Sequence, residues 1–252
     1  MFPDPLLTSP AGPYIDTVSI CILGDMMMHS AQIENASTSA SGYDFSSYFK
    51  HIEDKIKDAD IAVANMEFTL AGEPYTGYPA FSAPEAYATY LAGLGIDVFL
   101  TANNHIFDKG AAGAARTIDE FQKLGVSIAG IAEDQHMYEQ AFPLILKCKG
   151  ASIAMLNATY GTNLSIGKEW PKTMRISDKE AMAAALAKAA GCDFALILPH
   201  WGPEYQLRHS EFQEKEARWL ARHGADAIVG AHPHVIQDIQ EIDKVPVFYS
   251  IG

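Results

Sequence analysis

The sequence predicts an α/β domain in which a largely parallel sheet is covered by helices. Two observations carry this reading. Short apolar runs of strand character alternate with amphipathic helical stretches along most of the chain, the pattern of βα units. Four segments also share one plan, an Asp, an apolar strand and then a polar cluster: Asp60-IAVAN-Met66-Glu67, Asp97-VFLTA-Asn103-Asn104-His105, Asp193-FALILP-His200 and Asp226-AIVGA-His232-Pro233-His234. A fifth, Ser19-ICILG-Asp25, lacks the leading Asp but ends in the same way.

Taken in order, residues 1–16 form an irregular lead-in containing Pro3, Pro5, Pro10 and Pro13, and residues 17–252 form a single domain. Strands are expected at Val18–Leu23, Ile61–Ala64, Val98–Thr101, Ala195–Leu198 and Ala227–Val229. Helices are expected between them, over 44–58, 84–93, 111–124, 177–190 and 211–223. Ser177 with Glu180 and Ser210 with Gln213 have capping-box spacing, and Gly191 and Gly224 follow the two helices they open. Around Leu144–Thr159 two β-rich runs flank Lys149-Gly150 and read as a hairpin. Each leading Asp is expected to close the turn before its strand.

Bulk properties narrow the function. In 252 residues, 18 Lys and Arg face 31 Asp and Glu, a net charge of −13. A chain this acidic has no broad basic face, which argues against nucleic acid or an anionic membrane as partner. Cys21, Cys148 and Cys192 are odd in number, widely spaced and embedded in or beside apolar runs, so they indicate neither a disulfide framework nor a thiolate zinc site. No run of 18 apolar residues occurs and the N-terminus has no signal-peptide pattern, so the chain reads as soluble.

The polar clusters carry the chemistry. Ligands of open α/β sheets bind outside the carboxyl ends of the strands, and here those ends bring Asp25, Glu67, Asn104, His105, His200, His232 and His234. Carboxylates, an amide and imidazoles without thiolates suit Mn, Fe or Zn, and the set is large enough for one or two divalent ions. Taken singly, each has a blander use: Gly24-Asp25 and Asn103-Asn104 are common turn pairs, Glu67 suits a surface ion pair, and His200 suits a hydrogen-bonded core position. His232-Pro233-His234, two imidazoles on a rigid loop after a strand, is the least easily explained that way. Asp108 can either orient His105 or cap the helix beginning near Gly110. Trp201, Glu204, Tyr205 and Arg208 lie on the loop after His200, where a substrate pocket is expected; Arg208 is either a solvated loop charge or an anion contact, since a guanidinium grips carboxylate or phosphate with two hydrogen bonds. The segment Tyr75–Ala83 either forms a rim of the pocket or packs against the domain.

Gly24-Asp25, Asn65-x-Glu67, Ala102-Asn-Asn-His105 with Asp108 and Gly110, His200-Trp-Gly-x-Glu-Tyr205, Gly230-Ala-His-Pro-His-Val235 and Phe248-Tyr-Ser-Ile-Gly252 occur in that order. They resemble the successive motifs of the CapA-type capsule and poly-γ-glutamate synthesis family, related to calcineurin-like metallophosphoesterases. The resemblance implies a four-layer α/β/β/α metallophosphatase-like sandwich. It implies Asp25 and His234 on one metal, Asn104, His200 and His232 on a second, and Glu67 as the bridge. His105 would be the histidine that serves the leaving or non-bridging oxygen. Two departures stand out: Met27 occupies the place of a phosphoesterase histidine, leaving the first metal short of a ligand unless His29 supplies one. The chain also stops at Gly252, where family members continue with an asparagine and further strands. The implied role is a metal-dependent hydrolase of capsule or poly-γ-glutamate metabolism in the cell envelope, acting on an anionic polymer or phosphoester within a membrane-bound synthesis complex. The competing roles are a non-catalytic, metal-stabilised subunit that binds or exports the polymer, and a generic phosphodiesterase or nucleotidase.

Overall fold

A computed structural model describes residues 17–38 and 42–252; the lead-in expected over 1–16 lies outside the described residues. In chain order the elements are β1 (Ile20–Met26), α1 (Ser30–Ala36), α2 (Ser46–Phe49), α3 (Glu53–Lys57), β2 (Ile61–Met66), α4 (Glu85–Leu94), β3 (Val98–Leu100), α5 (Gly110–Leu124), β4 (Ser127–Ala129) and β5 (Ile131–Ala132). They continue with α6 (Gln135–Ala141), β6 (Leu144–Cys148), β7 (Ala151–Thr159), β8 (Lys172–Thr173), α7 (Lys179–Ala189), β9 (Phe194–His200), α8 (Glu211–Arg222), β10 (Ala227–Val229), β11 (Ile239–Ile242) and β12 (Val245–Phe248).

All five expected strands form, and β6 and β7 pair antiparallel as the expected hairpin. The helix expected over 44–58 is instead two short pieces, α2 and α3, separated by a turn in which the Ile52 N–H donates to the Phe49 carbonyl. The first capping box also differs. Helix α7 is capped by Asp178, whose carboxylate accepts the Ala181 N–H, leaving Ser177 outside the helix. Asp is as good a cap as Ser, and it lies one residue nearer. The Ser210–Gln213 box forms at α8.

Ten strands divide into two main sheets, and β5 and β8 form a separate antiparallel pair. One main sheet is wholly parallel, in the order β1-β2-β3-β4; the other runs β11-β12-β10-β9-β7-β6, with β7, β9, β10 and β12 parallel and antiparallel strands at both edges. Strand alternation assigns the layers. In β2, Ala62, Ala64 and Met66 enter a core with helices α4 and α5, while Ile61 and Val63 enter a second core with Ile153, Met155, Leu196 and Leu198 of the other sheet. Ile197 and Leu156, on the far face of that sheet, pack with Leu186 of α7 and Leu220 of α8. Helices, sheet, sheet, helices: the domain is a four-layer α/β/β/α sandwich.

The leading aspartates act between strands and not on their own turns. Asp97 donates its N–H to the Ala62 carbonyl and accepts the Ala62 N–H on Oδ2. Asp60 does the same with Ser19, Asp193 with Ser152 and Asp226 with Ala195. Each clamps a residue at the amino-terminal start of the neighbouring parallel strand, adding a reciprocal pair there and fixing register. Asn157 joins the two sheets: its Nδ2 donates to the Leu198 carbonyl and its Oδ1 accepts the Ala102 N–H, both at 2.7 Å. Register fixed at one end carries the opposite, carboxyl ends of both sheets to a common edge.

Candidate metal centre

Six predicted ligands meet at that edge. Asp25 sits near the end of β1 beyond a bulge, where the register with β2 shifts between Leu23 and Asp25. The bulge needs Gly24, because a Cβ there would lie 1.7 Å from the Gly252 carbonyl oxygen, the same oxygen that accepts the Asp25 N–H at 2.9 Å. Asp25 Oδ2 contacts His234 Nδ1 at 2.9 Å and accepts the His232 N–H at 3.1 Å. Asn104 Oδ1 lies 2.7 Å from His200 Nε2. Two groups of ligand atoms fall within 4.8 Å of one another, Asp25/Glu67/His200 and Glu67/His232/His234. Glu67 belongs to both, the place of a bridging carboxylate. The division between them pairs Asp25 with His200 and His232 with His234, whereas the resemblance implies Asp25 with His234. His232 and His234 are held at φ 101° and 55°, left-handed values that non-glycine residues adopt at a cost.

The donor set fits a divalent cation on a specific observation. Glu67 is fully buried and neither carboxylate oxygen has a hydrogen-bond partner, and His232 Nδ1 is likewise buried and unpartnered. An unpaired buried carboxylate is costly; a cation bound between the two groups removes that cost. Burial and the neighbouring Asp25 charge push the Glu67 carboxyl well above its ordinary range. Burial lowers His200 to about 4 and His232, also beside His200, to about 3, so both imidazoles stand neutral with lone pairs available. Asp25 is lowered: burial opposes this, but hydrogen bonding from His234 and Asn65 prevails.

Orienting residues surround the ligands. Asn65 Nδ2 donates to Asp25 Oδ1 at 2.7 Å and lies 3.2 Å from His200 Nδ1, tying the first sheet to the second. Asn103 donates to the Met66 carbonyl and accepts the His105 N–H, fixing the turn that carries Asn104. His105 is not in either ligand group. Its Nδ1 lies 2.7 Å from Asp108 Oδ2, which also accepts the Phe81 N–H at 2.8 Å. Asp108 therefore orients His105; the residue at the helix cap is Lys109, with no side-chain bond. With Nδ1 engaged, Nε2 faces the centre, 4.0 Å from Glu67 Oε1.

Tyr160 and Asn163, on the loop after β7, also reach the site. The Tyr160 ring lies 4.8 Å from that of His232, and Asn163 bonds Asn104 and lies 3.3 Å from His105 Nδ1. Because β7 reads from sequence as half of a hairpin, its carboxyl end does not stand out as another strand end of the parallel set; in the structure it runs parallel to β9, with Thr159 opposite His200.

A cleft of about 470 Å³ opens over Asp25, His105 and His234, with Glu204, Tyr205 and Tyr78 at its mouth. Glu204 and Tyr205 are thus where a substrate-contacting residue belongs. Arg208 is exposed but does not line the cleft. Trp201 is a correction: it is fully buried, its Nε1 donating to the Tyr249 carbonyl, so it anchors the loop from the core and offers no surface to a substrate. The rim expected from Tyr75–Ala83 is represented by Tyr78 in the cleft wall and by Phe81, which stands edge-on between His29 and His105. His29 lines the cleft without joining either ligand group, and Met27 packs partly buried against the first core.

Two facing sheets between helix layers, with oxygen and nitrogen ligands gathered at their common carboxyl edge, define a metallophosphatase-like fold. Solved structures share it: a putative 5′-nucleotidase of Staphylococcus aureus (TM-score 0.57, 13% identity, covering 92% of this chain and 48% of that one) and a 5′-nucleotidase of Candida albicans (0.53, 10%, 93% and 46%). Over residues 19–252 the chain matches the family described as bacterial capsule synthesis protein PGA_cap, and it belongs to that family. It is 28% identical to both the capsule biosynthesis protein CapA of Bacillus anthracis and the PGA biosynthesis protein CapA of Bacillus subtilis, over 94% of its own length. It spans 59% and 63% of those relatives' lengths.

Proposed function

We propose that this domain is a metal-dependent hydrolase of metallophosphatase type that serves capsule or poly-γ-glutamate biosynthesis in the cell envelope. The observation that carries the reading is Glu67, a fully buried carboxylate with both oxygens unpartnered, shared by two groups of ligand atoms. Asp25, Glu67, Asn104, His200, His232 and His234 would hold one or two ions, Mn, Fe or Zn by donor type. A bound ion supplies Lewis acidity towards a phosphoryl or acyl oxygen and towards the attacking water. His105, oriented by Asp108, presents Nε2 to the cleft and gives a proton to the leaving group. Tyr160 and the ligand imidazoles wall the centre from one side.

Charge supports the same reading. No Lys or Arg lines the cleft among the described residues, so an anionic substrate would find its counter-charge in the centre itself. The relatives' names supply the physiological setting, and a membrane-bound synthesis complex is the partner that setting implies. Among the described residues no helix is long and apolar enough to cross a membrane. Met27 favours a second reading, a metal-stabilised subunit that binds or exports the polymer without cutting it, because an imidazole there would complete the Asp25 side. The test is a hydrolysis panel of p-nitrophenyl phosphate mono- and diesters, nucleotides and γ-glutamyl polymers with metal-saturated protein. Turnover that disappears on chelation and returns with the metal supports the hydrolase. No turnover across the panel at full metal loading leaves the binding role.

A further inference from the structure

A second cleft, about 360 Å³, opens beside the metal centre between α6 and the segment 165–178. Its walls include Tyr138, Trp170 and Pro171, and two cations enter it, Lys172 and Arg175. Both are half-buried, yet neither has a carboxylate within ion-pair distance among the described residues. Lys172 Nζ sits 4.2 Å over the Trp170 ring, and Arg175 makes one side-chain bond, from Nη2 to Thr162 Oγ1 at 2.7 Å. The carboxylates at the cleft do not neutralise them: Glu169 and Asp178 are exposed, and Asp178 already accepts the Ala181 N–H as a helix cap. Burial lowers the Arg175 pKa, the mark of a guanidinium losing water without gaining a partner.

Two backbone links tie the cleft wall to the metal centre. Phe107, in its wall, follows His105 by two residues. Arg175 is bridged to Thr159, which pairs with His200. Two strand spacings separate the Arg175 and His200 backbones, on the order of 10 Å. The loop that carries Tyr160 and Asn163 to the centre also carries Thr162 to Arg175.

The geometry points to an anion subsite built by Arg175, Lys172 and the Trp170 face, which takes an oxyacid group on an apolar or aromatic stem, on the same extended ligand whose other end lies at the metal centre. The guanidinium offers the oxyacid a forked pair of donors, Lys172 a second charge, and Tyr138 and Trp170 a surface for the stem. The link to the centre rests on the proposed hydrolytic reading; the subsite itself does not.

Binding is measured by calorimetry on metal-loaded protein with two separate probes, glutarate and inorganic phosphate, and Trp170 fluorescence is followed in parallel. Arg175→Gln and Lys172→Gln should each weaken binding about 10- to 100-fold, the usual weight of a charge-assisted contact, with metal content unchanged; Arg175→Lys should retain part of the affinity. Tighter binding of glutarate supports a carboxylate on an apolar stem, and tighter binding of phosphate supports a phosphoryl group. His232→Ala separates the two sites: it should cost metal, and with it any probe binding at the centre, and leave the binding that depends on Arg175 intact. Unchanged affinity in Arg175→Gln and Lys172→Gln overturns the subsite, as does affinity lost in His232→Ala but kept in Arg175→Gln.

Discussion

Replacing Glu67 by Gln probes the buried carboxylate without changing its size. In chelated protein the carboxylate has no hydrogen-bond partner, and its pKa lies well above the ordinary 4.5, through burial first and the Asp25 charge second. An acid with a raised folded pKa contributes stability below its unfolded pKa and loses it as pH rises towards the folded value, by up to about 1.4 kcal/mol per unit. Glu67→Gln removes that slope. The chelated variant and wild type should melt together below about pH 4.5 and diverge above it, the variant being the more stable at pH 7. Metal reverses the order. At about 1,000 times Kd it should stabilise wild type by roughly 4 kcal/mol, about 8–16 °C, and leave the variant unmoved. Thermal melts followed by circular dichroism, with chelator and with Mn²⁺, give all four curves. A chelated variant that melts below wild type at pH 7, or a metal shift equal in both proteins, would refute the argument.

His105→Ala should keep its metal while turnover falls about 10²- to 10⁴-fold, the share of a positioned acid; elemental analysis and rates on one preparation decide it, and loss of metal would make His105 a ligand. Asn157→Leu strands the Ala102 N–H and the Leu198 carbonyl between the sheets, so urea unfolding should show a loss of about 2–4 kcal/mol with little change in m. Gly24→Ala places a Cβ against the Gly252 carbonyl. It should cost more than about 2 kcal/mol and weaken metal binding by displacing Asp25, which melting and metal titration would reveal together.

Much of this was legible because βα units put chemistry at one end of each strand. Asp25, Glu67, Asn104, His200, His232 and His234 stood out as polar residues directly after apolar runs, and the structure places all six at one edge. What was not legible is what depends on partners distant in sequence. Strands such as β2, buried on both faces, carry no alternation to show which core each face meets, so the division into two sheets followed from the family resemblance and not from the runs themselves. Tyr160 and Asn163 hid behind the hairpin at β6 and β7. Trp201 follows His200 on what reads as a pocket loop; only the fold reveals that its ring fills the core beside Tyr249. The leading aspartates announced a structural task, but the clamp onto a neighbouring strand 31 to 41 residues away needs the sheet order to be seen.

The central claim is that Glu67 lies between two sets of metal ligands. Metal content decides it most directly: wild type and Glu67→Gln are loaded with Mn²⁺ or Zn²⁺, dialysed exhaustively and submitted to elemental analysis alongside a check of folding. Wild type should retain about one tightly held ion per chain, the second exchanging more readily for want of an imidazole at Met27, while folded Glu67→Gln should retain almost none, because both sets share that carboxylate. Wild type without metal, or a folded variant that holds as much as wild type, would contradict the account.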